Sequence, residues 1–196
     1  MIRQQIGVFF LGYLWGSLLW SAMICTLKGK NIFQLGSGNA GATNVNRVLG
    51  PLWAKVIFGL DFLKGALAAL IPLLLISQES ALQMALAAFL GAMLGHSFSI
   101  FYKFKGGKAV ATTMGGLCVL APLVLLGGVL VWLGVFYSLR YVSVASMAFG
   151  ISLPLLSIIT RKPFIFKNFC FLLMFLILLL HRKNLVNLWY GREKRM

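Results

Sequence analysis

The sequence predicts an all-α integral membrane protein, a compact bundle of about seven transmembrane helices, some of them short or partly inserted. Three observations point there. Of 196 residues, 60% are apolar and only 11% charged, whereas soluble domains run nearer a quarter charged. The apolar residues come in charge-free runs that reach the ~18 residues of a membrane helix. The charge is also lopsided, with 18 Lys and Arg against three acids, Asp61, Glu79 and Glu193, for a net +15. The length suits a single domain over 1–196 with short connections and little left for a separate soluble part.

The apolar segments fall at about 6–27, 52–76, 81–102, 109–138, 141–160 and 164–180. Arg3 before the first of these resembles the start of a signal peptide. The run from Ile6 to Leu27 is too long for one, however, and no A-x-A cleavage site follows, so it reads as a retained first helix. The longest polar connection, Lys28 to Gly50, is rich in Gly, Asn, Ser and Thr. Pro51 sits where a helix would begin, since the first turn has no use for its missing N–H. The Ser77-Gln78-Glu79-Ser80 connection is short and carries no base, while Tyr102 to Lys108 holds Lys103, Lys105 and Lys108 around Gly106-Gly107.

Lys/Arg bias places the 28–50 and 103–108 loops in the cytoplasm and the Glu79 turn outside, with the N-terminus external. The tail from His181 holds five bases and is expected inside as well. Six simple spans would put it outside. Dividing 109–138 at Pro122, near Gly115-Gly116, gives seven segments and restores parity, at the cost of leaving Arg161 and Lys162 outside.

A basic excess is consistent with cytoplasmic loops, nucleic-acid binding or an anionic substrate. Nucleic acid is set aside, because no hydrophilic domain exists to carry the patch. Cys25, Cys118 and Cys170 lie far apart in apolar runs, with no CxxC and no Cys/His cluster. Neither a zinc site nor a disulfide framework is indicated, and the three read as small packing residues.

Four features carry chemistry. Gly36-Ser37-Gly38-Asn39-Ala40-Gly41-Ala42-Thr43-Asn44 leads to Arg47 and Gly50. Glycines let a backbone approach a ligand, neutral donors surround it, and Arg47 adds a planar fork, which together suit a phosphate. A plain polar loop is the alternative. Lys103 to Thr112 is a Gly-Gly-Lys turn entering an apolar helix, whose N–H groups and dipole favour an anion. It lacks the upstream Gly and strand of a Walker A, and a positively flanked membrane turn explains it equally well. Asp61 and Lys64 share a helix face and are suited to pair within the membrane, structurally or catalytically, and His96 beside Gly95 is similarly open. His181-Arg182-Lys183-Asn184, followed by Leu188-Trp189-Tyr190 and Glu193, suits the membrane interface. With three such clusters assigned to one side, an anion-binding cavity at the cytoplasmic surface is the better account. A small anion transporter would explain basic loops too, but no inverted repeat is visible and the motifs cluster at one face.

Residues 36–50 resemble the first motif of the bacterial acyl-phosphate:glycerol-3-phosphate acyltransferases, the PlsY family, whose pattern is G-S-G-N-x-G-A-T-N-x-x-R-x-x-G. Leu60-Asp61…Lys64-Gly65 resembles that family's second helix. Gly95-His96, Phe98, Phe101 and Phe104 to Lys108, running into Val110-Ala111-Thr112, resembles its central motif. His181…Asn184 with Gly191 and Glu193 resembles its C-terminal motif. The chain departs from the family at Ala109, where a third Gly is usual, at Ser99, where Pro is frequent, and at Arg192, where Thr is common.

The resemblance implies a seven-helix enzyme of the bacterial inner membrane, with its C-terminus and active site facing the cytoplasm. It would transfer an acyl group from acyl phosphate to the 1-hydroxyl of glycerol 3-phosphate, at the first step of phospholipid synthesis. Membrane lipid would be a partner, but no cofactor, metal, nucleic acid or obligate protein partner. It implies catalytic roles for Ser37, Arg47, Lys108, His181 and Asn184. Gly38, Asn39, Gly41, Ala42, Thr43, Asn44, Lys64, His96, Lys105, Gly106, Gly107 and Thr112 would bind substrate, and Asp61 and Glu193 would be structural. The His-x4-Asp pair of CoA-linked glycerolipid acyltransferases is absent, since Phe101 and Val186 stand five residues after His96 and His181. The proton acceptor is either a substrate phosphate or His181.

Overall fold

Apolar runs surrounded by lipid must satisfy their backbone internally, and in the computed structural model they do so as helices. The structure describes residues 2–76 and 78–195. In chain order it forms α1 (Ile2–Ser17), α2 (Trp20–Leu27), α3 (Ala42–Leu49), α4 (Pro51–Leu75), α5 (Gln78–Ser97), α6 (Val110–Leu120), α7 (Pro122–Leu139), α8 (Val142–Ile159), α9 (Phe164–Leu180) and α10 (Arg182–Trp189). A 3-10 turn, Ile100–Tyr102, precedes the loop before α6. Of the 77–80 connection, Ser77 lies outside the described residues.

Among the described residues, five stretches, Ile2–Leu27, Pro51–Leu75, Ser80–Ser97, Pro122–Leu139 and Val142–Ile159, are long and apolar enough to cross a membrane. Helix α9 passes the same test together with α10, across a 52° bend, and α6 is a shorter apolar helix. With α6 counted, these make the seven segments expected. Pro51 and Pro122 each open a helix, and Ala121 breaks the 109–138 run between α6 and α7.

Two local expectations change. The first apolar run is not one helix, because it breaks at Leu18–Leu19 between α1 and α2. A break in a membrane helix strands carbonyls, and here they are captured. Ser99 Oγ donates to the Ser17 carbonyl at 2.6 Å, and Lys64 Nζ donates to the Leu18 carbonyl at 2.6 Å. The polar 28–50 connection is not all loop either, since α3 lies within it.

The chain forms two compact units, Met1–Leu120 and Ala121–Met196. In the first, α1 and α5 approach closely enough that small residues are required. A Cβ at Gly12 or Gly16 would overlap the Ala88 or Ala92 carbonyl, and one at Gly91 or Gly95 would overlap backbone of Phe9, Tyr13 or Ser17. Both helices thus present a small-xxx-small face. Helices α4 and α6 meet in the same way, at Gly65 against the Thr112 carbonyl and Gly115 against the Phe62 carbonyl. A local core of Leu19, Cys25, Ile32, Ala40, Val45 and Ile57 lies beneath the 28–50 segment.

In the second unit α8 packs on both α7 and α9, with Gly128 against Phe149 and Gly150 against Ile177. Its tail returns to the start of α8, where Arg195 Nε donates to the Tyr141 hydroxyl at 3.0 Å. Cys25 and Cys170 are buried as packing residues should be, whereas Cys118 is exposed on α6.

Candidate active site

The 35–50 segment is organised by Asn44, which is 1% exposed. Its Oδ1 accepts the Ser37 N–H at 2.7 Å, and its Nδ2 donates to the Ile32 carbonyl at 3.3 Å and the Leu35 carbonyl at 3.0 Å. Expected to bind substrate, Asn44 instead commits its amide to the loop. Gly36 and Gly38 take φ of 63° and 68°, a left-handed backbone that glycine adopts without penalty. Ser21 Oγ donates to the Ala40 carbonyl at 2.7 Å and pins the loop to α2. Gly41 then N-caps α3 with no side-chain cap, so the first N–H groups of that helix, on Ala42 and Thr43, are presented bare. Arg47 stands exposed in the last turn of α3, and Lys30 Nζ holds the end of that helix through the Val48 carbonyl at 2.8 Å. Ser37 is exposed, and Asn39 is half-buried.

The second loop runs from Ser99 to Ala109. Ser99 and Lys105 form an isolated antiparallel bridge, and the Phe104 N–H donates to the Ser99 carbonyl at 2.8 Å. Gly107 N–H donates to the His96 carbonyl at 2.9 Å, which lays the Gly-Gly turn on the end of α5. Lys103, Phe104 and Ala109 hold φ of 54°, 58° and 54°, left-handed values that cost an L residue about 1 kcal/mol or more each. The left-handed φ of the buried Ala109 explains why a third glycine would be at home there. Lys105 is exposed, and Lys108 is half-buried at the entry to α6.

The two loops meet. The Gly106 carbonyl accepts the Ala40 N–H at 3.3 Å and Asn39 Nδ2 at 3.4 Å. Phe33 and Tyr102 pack their rings 5.6 Å apart, and burial pushes the Tyr102 phenol up from its ordinary pKa. Two Gly-rich, basic segments, joined by residues as much as 67 apart in sequence, therefore share one wall. Within the first unit this gathers Ser37, Gly38, Asn39, Gly41, Ala42, Thr43, Arg47, Lys105, Gly106, Gly107 and Lys108 onto two joined loops.

Behind that wall lie the buried charges. Lys64 Nζ is 3.3 Å from Asp61 Oδ1 as well as bonded to Leu18, so the lysine expected to bind substrate is engaged inside the bundle. His96 Nδ1 lies 3.5 Å from the same carboxylate oxygen, and among the described residues it makes no hydrogen bond. Thr112 Oγ1 is buried without a hydrogen-bond partner among the described residues.

In the second unit, His181 caps α9, 2% exposed, with Nδ1 donating to the Ile177 carbonyl at 2.8 Å. A neutral ring so held carries its hydrogen on Nδ1 and its lone pair on Nε2. Asn184 Nδ2 donates to Glu193 Oε1 at 2.7 Å, and Ser143 Oγ donates to the same oxygen at 2.6 Å. Glu193 thus ties the tail to α8 and fixes the Asn184 amide. Ser21 and Ser143 did not stand out in the sequence, and Ser99 did so only as a departure from the family pattern, because a serine in an apolar run shows its partner only once the helices are packed.

A family model described as glycerol-3-phosphate acyltransferase matches residues 6–191. A glycerol-3-phosphate acyltransferase of Aquifex aeolicus is 40% identical over 98% of this chain and 99% of its own length. One of Thermus thermophilus is 37% identical over 100% of this chain and 96% of its own. A crystal structure of an integral membrane glycerol 3-phosphate acyltransferase in its glycerol 3-phosphate form superposes with a TM-score of 0.91. It is 38% identical and covers 98% of this chain and 95% of that one, and the lysophosphatidic acid form superposes at 0.89. With a full-length match to both the family model and its members, on a fold shared with a solved member, this chain belongs to the glycerol-3-phosphate acyltransferase family.

Proposed function

We propose that the chain acylates the 1-hydroxyl of glycerol 3-phosphate with an acyl phosphate as donor, giving lysophosphatidic acid and inorganic phosphate. The observation that carries this reading is the join at Gly106, where Ala40 and Asn39 of one anion-binding loop bond to the other loop. A reaction between two phosphate-bearing substrates needs two anion subsites side by side, and two Gly-rich basic loops with a common wall supply them. The relatives support the acceptor, since solved members carry glycerol 3-phosphate and lysophosphatidic acid.

The acceptor hydroxyl oxygen attacks the acyl carbon, the carbon–oxygen bond to phosphate breaks, and phosphate departs with the electron pair. Phosphate is already a good leaving group, so the work is positioning and charge compensation. Arg47, Lys108 and Lys105 offset the phosphate charge, while Ser37, Thr43 and the first N–H groups of α3 supply neutral donors. Asn44 braces the first loop from within. The resemblance adds His181 and Asn184 to the set, as hydrogen-bonding groups that orient substrate. The hydroxyl proton goes to a phosphate oxygen, whose second pKa lies near neutrality.

With two intervening spans, α4 and α5, both loops would lie on one face, and their bases favour the cytoplasmic side of a bacterial inner membrane for it. The N-terminus is outside and the basic tail inside. The test is product formation by purified protein. Labelled glycerol 3-phosphate with palmitoyl phosphate should give lysophosphatidic acid and phosphate in equal amounts, and palmitoyl-CoA should give none. Transfer from palmitoyl-CoA at a comparable rate would contradict the donor assignment.

A further inference from the structure

Glycine packing already joins α1 to α5 and α4 to α6 at backbone distance, so helix association in the first unit does not call for charge. Yet Asp61, Lys64 and His96 sit together there at 2%, 0% and 3% exposure, where ionised groups are costly to desolvate. Asp61 stands between the other two, 3.3 Å from Lys64 Nζ and 3.5 Å from His96 Nδ1. Lys64 reaches on to the Leu18 carbonyl at the α1–α2 break.

The other edge of the His96 ring faces the second loop. Nε2 lies so close to Gly107 that a Cβ there would overlap it, and a Cβ on Gly106 would overlap the His96 and Ser97 carbonyls. The same residue's carbonyl takes the Gly107 N–H. One side chain and its own backbone therefore form the floor under the turn. Gly106 passes that placement to the first loop through Ala40 and Asn39.

We infer that His96, aligned by Asp61 and Lys64, is the positioning residue for the Gly106–Gly107 turn. It sets where the turn's N–H groups, Lys105 and Lys108 meet a phosphate, without itself touching substrate. The ion pair holds the ring, the ring sets the turn, and the turn sets the wall between the two loops.

The experiment is a double-variant cycle with two readouts; the kinetic one rests on the acyltransferase reading and the structural one does not. In His96→Ala, backbone hydrogen exchange at Gly107 should accelerate roughly tenfold or more, while exchange in α1 and α5 stays as in the parent. The KM for at least one phosphate substrate should rise roughly tenfold, with kcat changed less. Gly107→Ala alone should be at least as damaging. In the His96→Ala background, where the ring no longer occupies the space of the added methyl, Gly107→Ala should cost about threefold or less. Asp61→Asn should move both readouts in the same direction by a smaller factor. Strictly multiplicative losses in the double variant, or a His96→Ala protein with unchanged Gly107 exchange, would overturn the inference. Should His96→Ala fail to fold, His96→Asn keeps a donor toward Asp61 while removing the edge that faces Gly107, and the same outcomes decide. If the parent forms no lysophosphatidic acid, the functional reading fails while the exchange result still decides the role of His96.

Discussion

The two loops of the first unit reach similar ends by opposite means. In the 35–50 loop the left-handed positions are glycines, Gly36, Gly38 and Gly50, and a single side chain, Asn44, closes the loop with three hydrogen bonds. In the 99–109 loop the left-handed positions fall on Lys103, Phe104 and Ala109, and the turn rests on His96 at the end of α5. The first carries its geometry in its own sequence, while the second is held in shape from outside. Strain of this kind persists only where the surroundings enforce it. A local substitution should therefore break the first loop, and the second should yield to changes in what lies beneath it.

The largest effect is expected at Arg47, the cation of the self-braced loop. Arg47→Ala should lose several kcal/mol of transition-state stabilisation while the protein keeps its thermal midpoint, because the side chain is exposed and bonds to no other element among the described residues. Retention of more than about a tenth of the parent kcat/KM, roughly 1.4 kcal/mol, would remove Arg47 from the essential groups.

Asn44→Ala comes next, and its signature is the reverse. It leaves the buried Ile32 carbonyl without its amide partner and the Ser37 N–H and Leu35 carbonyl without theirs, at a cost of about 2–4 kcal/mol in unfolding free energy with activity lost in parallel. Asn44→Asp should fail as well, because a carboxylate cannot donate to two carbonyls. A thermal midpoint unchanged in both variants would show that the loop is not braced by this side chain.

The smallest effect belongs to the externally held loop. Ala109→Gly removes a left-handed Cβ at φ 54° and should stabilise by about 0.5–1 kcal/mol, after allowing for glycine's greater unfolded-state entropy. The measurement is thermal unfolding in detergent. Destabilisation would mean that the methyl packs usefully in its buried site and that the strain argument is wrong there.

The same contrast explains what could be read from the sequence. The spans were legible because charge-free runs have few other uses, and Pro51 and Pro122 announce helix starts. The break at Leu18–Leu19 was not, since nothing in Ser17-Leu18-Leu19 is a helix breaker, and its carbonyls are satisfied by residues from α4 and from beyond α5. The turns of the first loop could be read from its glycines, and Gly36 and Gly38 do hold left-handed φ. The assignment of Asn44 as a ligand donor missed its internal role, because residue type alone does not reveal which way an amide is spent. Lys64 was legible as the partner of Asp61, three residues away, but not as the donor to Leu18. In the second loop the Gly-Gly-Lys turn could be read, but the departure at Ala109 becomes interpretable only once φ is known.

The account stands on the two loops forming one site for two phosphate groups. The direct measurement is backbone hydrogen exchange of the purified protein with glycerol 3-phosphate and a non-hydrolysable acyl phosphonate bound together. It predicts slowed exchange in both segments, at Gly38 to Thr43 and at Lys105 to Lys108, with both protections lost in Arg47→Ala. Protection confined to one segment with both ligands bound, or full protection of both segments in Arg47→Ala, would contradict it.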